Sequence, residues 1–516
     1  MTDKIIRGSG GPPPTPPSPT RAPDTLNSRQ FATIQDLLSE GEIEGFATPS
    51  KAGLTKGTTA YNNAALKDIF LNDTPILNSS ASNTSPQTSD FNFQNVGFTP
   101  RFGTSNQEHI PGIESSQSTT SVGVTVTTSS PVTRQITNTN VDAAKVTITF
   151  PQLQKATDQG DLLGSSVQLK IQVQYNSGGF SDVLSDTITG RTADAYQKEY
   201  RVNITGAFPV DIRVVRVTAD STSSSLVDAF AWTSLGEIID DKQRYLNSAY
   251  TNLRIDSEQF SSIPKRAFRI RGVKVRIPAA NGGLTPTVDS QTGRIQYPPN
   301  YIFNGTMGAA VWCSCPAMIL LDLLTTERYG FGTHITDSNL DLFSFVAASR
   351  YANELVSDGF NGQEARFSCN VNLQGSMEAY QLINELAGVM RCFPIWSEGS
   401  VTITQDKPTD PSYLFSLANV GEGGFSYSGS SLKQRHSIIS VSYFNMDSRE
   451  IDYEVVGDDV DGPNALQEDI DRQAKLGIVK KDIKAFACTS RGQARRLGKA
   501  VLLSEEQETE VVSFTT

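Results

Sequence analysis

Large apolar side chains are almost absent from the first 28 residues, where "GSGGPPPTPPSPT" is dense in proline and glycine. They return at "FATIQDLLSEGEIEGF" (Phe31–Phe46). The leading segment has too little apolar surface to offset its ordering entropy, so residues 1–28 are expected to be a disordered or extended Pro/Gly-rich arm. "ALKDIFLNDTPIL" then alternates with the period of a strand, broken at Asn72-Asp73, a pair that suits a tight turn. From about Ser79 the polar residues Ser, Thr, Asn and Gln dominate, and the runs "VGVTVTT", "AAKVTITF", "VQLKIQVQY", "FSDVLSDTIT" and "VDIRVVRVT" follow. Half-polar alternation repeated in this way predicts antiparallel strands with one wet face, and "YNSGGF" (Tyr175–Phe180) predicts a hairpin turn between two of them. A β-sandwich inserted over residues 89–231 is the expected arrangement.

At Trp232 the pattern changes, and "YTNLRIDSEQF" and "AFRIRGVKVRIP" predict strands of a different module, with their charges on one face. Helical periodicity takes over after "GAAVWCS". In "PAMILLDLLTTERYG", Pro316 suits the first helical position and Gly330 the exit. "DSNLDLFSFVAASRYANEL" carries a stripe of Leu340, Phe343, Ala347 and Tyr351. "SMEAYQLINELAGVM" places Ala379, Leu382, Ile383, Leu386, Ala387 and Met390 on one face, with Ser376 as N-cap. A hairpin, "RCFPIW"–"SEGS"–"VTITQD", precedes strands at "HSIISVSYF" and "IDYEVVG". The helix "SRGQARRLGKAVLLSEE" opens with a Ser490-x-x-Gln493 capping box, and "TEVVSFTT" is a strand pattern without a closing turn, as in a chain that continues further.

A chain of 516 residues exceeds a single hydrophobic core and is expected to divide into several domains. No window approaches the length of a membrane-spanning helix, and the N-terminus lacks the apolar core of a signal peptide, so a reduced cytoplasmic origin is expected. The five cysteines, an odd number, make no disulfide framework. A net charge of −11 argues against adhesion to nucleic acid over the whole surface. Such a surface suits a wall past which DNA slides, and equally suits ordinary solubility.

Candidate chemistry is sparse. Cys313-x-Cys315 offers two ligands where a zinc or iron–sulfur site needs four, with Cys369, Cys392 and Cys488 isolated and His109, His334 and His436 far apart. The preferred reading has Cys315 held extended before Pro316 and the cysteines buried. "GDDVDGPN" (Gly457–Asn464) lacks the spacing of a calcium loop and reads as a solvated turn, with Asp461 or a neighbour capping the next helix. His436 has no partnered nucleophile in the sequence. The basic stripe "SRGQARRLGK" (Ser490–Lys499) reads as a solvated or interface face. No P-loop, G-x-S-x-G, H-E-x-x-H or Rossmann fingerprint occurs. No residue is therefore assigned a catalytic, cofactor-binding or metal-binding role.

The runs "CPAMILLDLLTTERYGFG", "VSDGFNGQEARFSCNVNL", "GVMRCFPIWSEGSVTITQDKPTD", "DAFAWTSLGEIIDDKQRYLNSAYTNLRIDSEQF" and "KAFACTSRGQARRLGKAVLLSEEQET" resemble the N-terminal half of the tip attachment (host-specificity) proteins J of lambda-like siphophages. "RQFATIQDLLSEGEIEGF" and "IFLNDTPIL" are similar to that family's opening. The resemblance implies a mainly β chain with α+β segments: a multidomain tail hub with tube-like β-barrels, an inserted β-sandwich and an α/β helical segment. Its expected divisions are the arm 1–28, hub domains 29–88 plus 232–300 split by the insertion 89–231, an α+β hub domain 301–405, and a second barrel-like domain 406–516 continuing beyond the chain. It further implies a virion structural protein, assembled in the host cytoplasm. Three copies would end the tail tube, anchor a central fibre and form part of the DNA ejection channel. Expected partners are the other two subunits, the distal tail protein ring, the tape-measure C-terminus, small tail-tip assembly proteins, and a host outer-membrane receptor bound by a region beyond this chain. Genomic DNA would pass without specific binding. The alternative from another class is an envelope-degrading tail hydrolase, a glycosidase or peptidase; a glycosidase needs paired carboxylates about 5–10 Å apart in a cleft.

Overall fold

The computed structural model describes residues 19–515 apart from 376, 398, 412, 430–434 and 463–464. A three-stranded antiparallel sheet forms its frame, with Ser248–Asp256 between Phe31–Glu40 and Gly97–Phe102. Phe31 lies opposite Asp256, and Phe98 opposite Leu253. Two smaller pairings, Ile43–Phe46 with Ile270–Val273 and Ile69–Leu71 with Arg266–Phe268, adjoin it. Together they enclose Phe46, Tyr61, Ile69, Leu71, Leu77 and Leu253. Asn72 and Asp73 take φ values of 46° and 66° and turn the chain from Ile69–Leu71 into Thr74–Pro75. Polar side chains able to bond locally tolerate that left-handed backbone.

Between Phe102 and Ser248 lies the sandwich. One sheet runs Ser181–Gly190, Ser165–Tyr175, Val210–Arg216, Val132–Ile136. The other runs Tyr196–Asn203, Ala143–Phe150, Ala231–Asp240, Glu114–Thr125. The turn after Tyr175 has Asn176 and Ser177 at positive φ, as its composition predicts. Alternate residues Val167, Leu169, Ile171 and Val173 face Val146, Ile148, Phe150 and Trp232 across the core. The edges differ from the expected 89–231. Strand Ala231–Asp240 belongs to the sandwich because Trp232 and Leu235 enter its core and it pairs with Ala143–Phe150 and Glu114–Thr125, whereas Gly97–Phe102 belongs to the frame.

Of the two states expected for the leading arm, residues 19–28 take the extended one: they lie along the sandwich, held by backbone hydrogen bonds to Leu162 and Arg191. Backbone pairing supplies there what apolar surface does not.

"FRIRGVKVRIP" is not one strand but three, Arg266–Phe268, Ile270–Val273 and Val275–Pro278, each with a different partner. Beyond it, helices Pro316–Thr325, Leu342–Ala352 and Ala379–Val389 pack with the hairpin Cys392–Ser397/Ser400–Gln405 around Met318, Leu321, Phe345 and Leu386. Pro316 opens the first helix as predicted, but that helix ends at Thr325 rather than at Gly330. Gly330 instead folds back so closely that a Cβ there would sit 2.1 Å from the Leu323 carbonyl oxygen. In the second helix the buried face is Phe345, Val346, Ala348, Ser349 and Ala352, while Phe343 of the expected stripe is exposed. Asp341 caps this helix by accepting from the Phe343 and Ser344 amides, which sets its rotation. The expected cap Ser376 lies outside the described residues.

The last unit centres on Ile438–Asn445, flanked by antiparallel Glu450–Val456 and parallel Lys480–Lys484. Helix Arg491–Gln507 covers one face through Ala494 and Leu502, against Val441 and Val456. Outside the sandwich, each described sheet has two or three strands and is open.

Replacing the fully buried Trp232 by alanine removes the largest side chain of the sandwich core. It is expected to cost about 3–5 kcal/mol of that domain's stability, measured by denaturant unfolding. Val183→Ala, on an exposed position, is expected to stay within about 0.5 kcal/mol of the parent.

Candidate functional site

All five cysteines are buried. Cys315 is extended (φ −74°, ψ 114°), as the residue before a proline is constrained to be. Its thiol donates to Ser349 Oγ at 3.2 Å, and that oxygen shares a 2.7 Å hydrogen bond with the Tyr297 hydroxyl. Asn353 donates to the Ser349 carbonyl at 2.7 Å and accepts from the Ile295 amide at 2.8 Å. The network joins the first two helices to strand Ile295–Gln296. Sequence reasoning missed it, because a serine and an asparagine on a helix read as solvent-facing.

Cys369 lies beside this group: its amide donates to the Ser314 carbonyl at 2.8 Å, and the Asn370 amide to the Ala487 carbonyl at 2.9 Å. Segments around Cys313, Cys315, Cys369 and Cys488 are thus brought together. Burial pushes the Cys369 and Cys392 thiols up to about 12 and Cys488 up to about 11, and raises Cys313 and Cys315 as well. A thiol kept protonated by burial is a poor nucleophile. Among the described residues no group of three or more His, Cys, Asp or Glu is placed to hold a metal ion.

Of the histidines, His436 is engaged through its ring, whereas His109 and His334 bond through backbone groups. His436 offers its amide and Nδ1 to Glu505 at 2.9 and 3.0 Å, and Lys481 meets the same carboxylate at 3.1 Å. Burial works to raise the Glu505 carboxyl, but the His436 and Lys481 bonds outweigh it and hold it below the usual range. His109 accepts from Arg101 through its carbonyl, and the His334 amide donates to Phe331. In the acidic turn, Asp459 accepts from the Gly462 amide at 2.9 Å. The next helix begins only at Gln467, with Leu466 at its N-cap and no side-chain cap, so Asp461 does not cap it. Pro463 and Asn464 lie outside the described residues.

The basic stripe of the last helix turns out to be a joint between the helical unit and the C-terminal unit. Ser490 Oγ caps the helix by accepting from the Gln493 amide at 3.1 Å and itself donates to Glu364. The capping box is only half made, because the Gln493 side chain reaches away to bond Ser368 on its amide, hydroxyl and carbonyl. Arg491 and Arg495 converge on Glu454 at 2.7 and 3.0 Å, and both guanidinium groups lie over the Phe360 ring. Arg496 bonds Glu364 at 2.7 Å and the carbonyls of Ser357, Ala365 and Arg366. Planar, multiply donating guanidinium groups suit such fixed geometry better than lysine.

The charges of residues 266–276 are likewise paired rather than aligned on one wet face. Arg266 meets Asp36 at 2.7 Å, Arg269 meets Asp68 at 2.7 Å, Lys274 meets Glu42 at 2.7 Å and Arg276 meets Asp337 at 2.7 Å. Arg271 stacks over Trp312. Splitting the run into three short strands sends successive side chains to different neighbours, which an unbroken alternation does not reveal. Unsatisfied apolar surface lies elsewhere: Tyr380, Phe393, Ile395 and Trp396 are exposed on helix Ala379–Val389 and its hairpin, with Trp396 at 66%. Tyr413, Leu414, Leu417 and Tyr427 are exposed beside the two-stranded sheet Ser426–Gly429/Glu510–Ser513.

Two outcomes follow from this geometry. The native protein is expected to leave all five thiols unreacted with a disulfide reagent at pH 8 and to yield five after denaturation, measured spectrophotometrically. Glu454→Ala strands two arginines that are themselves part-exposed, so a loss of about 1–3 kcal/mol is expected, seen as a lower denaturation midpoint of the C-terminal unit.

Comparison with known proteins places this arrangement. Residues 116–241 match the family described as tip attachment protein J, FNIII-A domain, and residues 378–516 match a family described as putative phage tail protein. The chain is 30% identical over 518 aligned positions, all of its length, to tip attachment protein J of Escherichia phage SECphi27, covering 39% of that protein. It is 29% identical over 510 positions to tip attachment protein J of Escherichia phage SECphi4, covering 98% of the chain and 40% of that protein. The chain therefore spans about two-fifths of the length of the curated relatives it matches. A solved structure described as "CBM4 structure and function" covers 35% of the chain at 13% identity with a TM-score of 0.12, too low to bear on the fold. The relatives are named for attachment at a tail tip and not for a reaction, in keeping with a structural role in the virion. Along its whole length the chain is thus similar to tip attachment proteins J of phage tails.

Proposed function

We propose that this chain forms the wall of the central hub at the distal end of a phage tail, three copies closing around a passage for DNA. The observation that carries the reading is the whole-length match to proteins named tip attachment protein J. Three features of the chain support it. The five cysteines are buried and His436 is paired with Glu505, which suits a scaffold rather than a reaction centre. Small open sheets leave strand edges that a ring of copies would cover. Exposed apolar side chains on the hairpin Cys392–Ser397/Ser400–Gln405 provide material for a contact between copies. A net charge of −11 suits a passage that does not retain DNA.

Under this reading the neighbours are the distal tail protein ring, the tape-measure C-terminus and small tail-tip assembly proteins. The central fibre and the receptor-binding region belong to the remaining part of the full-length relatives.

Light scattering on the purified chain is expected to give three times the chain mass. Phe393→Ser combined with Trp396→Ser is expected to reduce it to one chain mass while leaving the circular dichroism spectrum unchanged. A parent protein that stays monomeric up to about 100 μM, or clears peptidoglycan on a zymogram, contradicts the reading.

A further inference from the structure

We infer that the sandwich carries a binding groove for an extended peptide, keyed by the buried guanidinium of Arg191, which the chain fills with its own residues 19–28. The segment runs across the sandwich and enters the frame at Phe31. Thr20 donates its amide and hydroxyl to Asp161 at 2.6 and 2.8 Å. Its carbonyl accepts from the Leu162 amide at 3.0 Å, and the Ala22 amide donates back to the Leu162 carbonyl at 2.9 Å. This is strand addition to the edge of the small sheet Leu162–Leu163/Gln154–Ala156. Further along, Thr25 and Leu26 donate their amides to the Arg191 carbonyl at 2.9 and 3.3 Å, and Thr25 Oγ accepts from the Arg191 amide at 3.0 Å.

The key sits between these two backbone contacts. Arg191 is 2% exposed, and its Nη1 donates to the Ala22 carbonyl at 2.7 Å and to Asp24 at 2.6 Å. Beyond those, the sandwich offers its guanidinium only the Gln154 side chain, at 3.4 Å, while Nε finds no partner. The counter-ion for a buried cation is thus supplied by the segment itself. A cation left without its carboxylate in that position is strongly unfavourable, so the groove selects an extended chain bearing an acidic residue. The walls are built for backbone passage: at Gly190 (φ 152°) a Cβ would lie 2.5 Å from Thr25 Oγ and 2.9 Å from Leu26 Cγ. Leu26 packs partly against the sandwich core, and Ser28 Oγ accepts from the Gln197 amide at 2.9 Å. The Gln30 carbonyl then accepts from the Ser257 amide of the frame at 2.9 Å. The filled groove therefore ties the sandwich to the frame along a second route, separate from the two covalent crossings.

Two measurements test this. In the full chain, Asp24→Ala is expected to raise hydrogen exchange at the Leu162 and Arg191 amides at least about tenfold, with amides of strand Ala143–Phe150 unchanged. A chain beginning at Arg29 is expected to bind a labelled peptide spanning Thr20–Asn27 saturably, and the same peptide carrying Asp24→Ala at least about tenfold more weakly. Unchanged exchange at Leu162 and Arg191 in the Asp24→Ala protein overturns the inference, as does equal binding of the two peptides. Should the shortened chain fail to fold, the exchange measurement in the full chain decides alone.

Discussion

Strand Ser248–Asp256 is the element on which the rest of the chain depends. It must pair simultaneously with Phe31–Glu40, far before it in sequence, and with Gly97–Phe102 on the other side of the sandwich. The two ends of the insertion are therefore fixed at neighbouring strands of one sheet, so a whole domain hangs from a single register. Its burial explains the rigidity of that choice: Leu253 and Ile255 enter the frame's core, and a one-residue slip would turn both out. Once this strand is set, the short strands that follow are committed in turn to Ile69–Leu71, Ile43–Phe46 and Met307–Val311.

The units are joined mainly by charge and hydrogen bonding. Arg266, Arg269, Lys274 and Arg276 link the connecting run to four carboxylates in turn, and the last helix reaches the helical unit through Arg496 on Glu364 and through Arg491 and Arg495 over the Phe360 ring. Part-exposed pairs of this kind add little stability each, but they fix orientation. A structural protein built from several domains needs defined angles between them more than it needs a large surplus of stability. The same geometry gives each of these charges a partner within the chain, and the five thiols are buried.

Much of the fold was legible from alternation and turn residues. The left-handed pairs Asn72-Asp73 and Asn176-Ser177, the proline-led helix at Pro316 and the sandwich strands all follow from local chemistry. Long-range selection was not legible. Trp232 reads equally well as the start of a new module, and only its place in the sandwich core assigns its strand. The stripe through Phe343 has helical spacing, yet a cap at Asp341 and packing against Pro316–Thr325 rotate the helix toward Ser349. Residues 19–28 lack apolar content, and their order comes from partners more than 130 positions away. For the joints, the sequence showed a basic stripe on Ser490–Lys499 but not the carboxylates that meet it, because Glu364 and Glu454 are unremarkable in isolation.

The central claim is that the protein works by shape, its copies enclosing a passage, with no bound reactant. The five cysteines are buried and His436 is paired with Glu505, while apolar side chains and strand edges face outward. Those outward features acquire a role when further copies cover them. The most direct measurement is three-dimensional imaging of the tail tip on intact particles at a resolution that traces strands. The account predicts three copies around the tail axis, with the hairpin Cys392–Ser397/Ser400–Gln405 at a contact between them. A single copy seated off the axis, or density for this chain on the tail exterior without threefold mates, would contradict it.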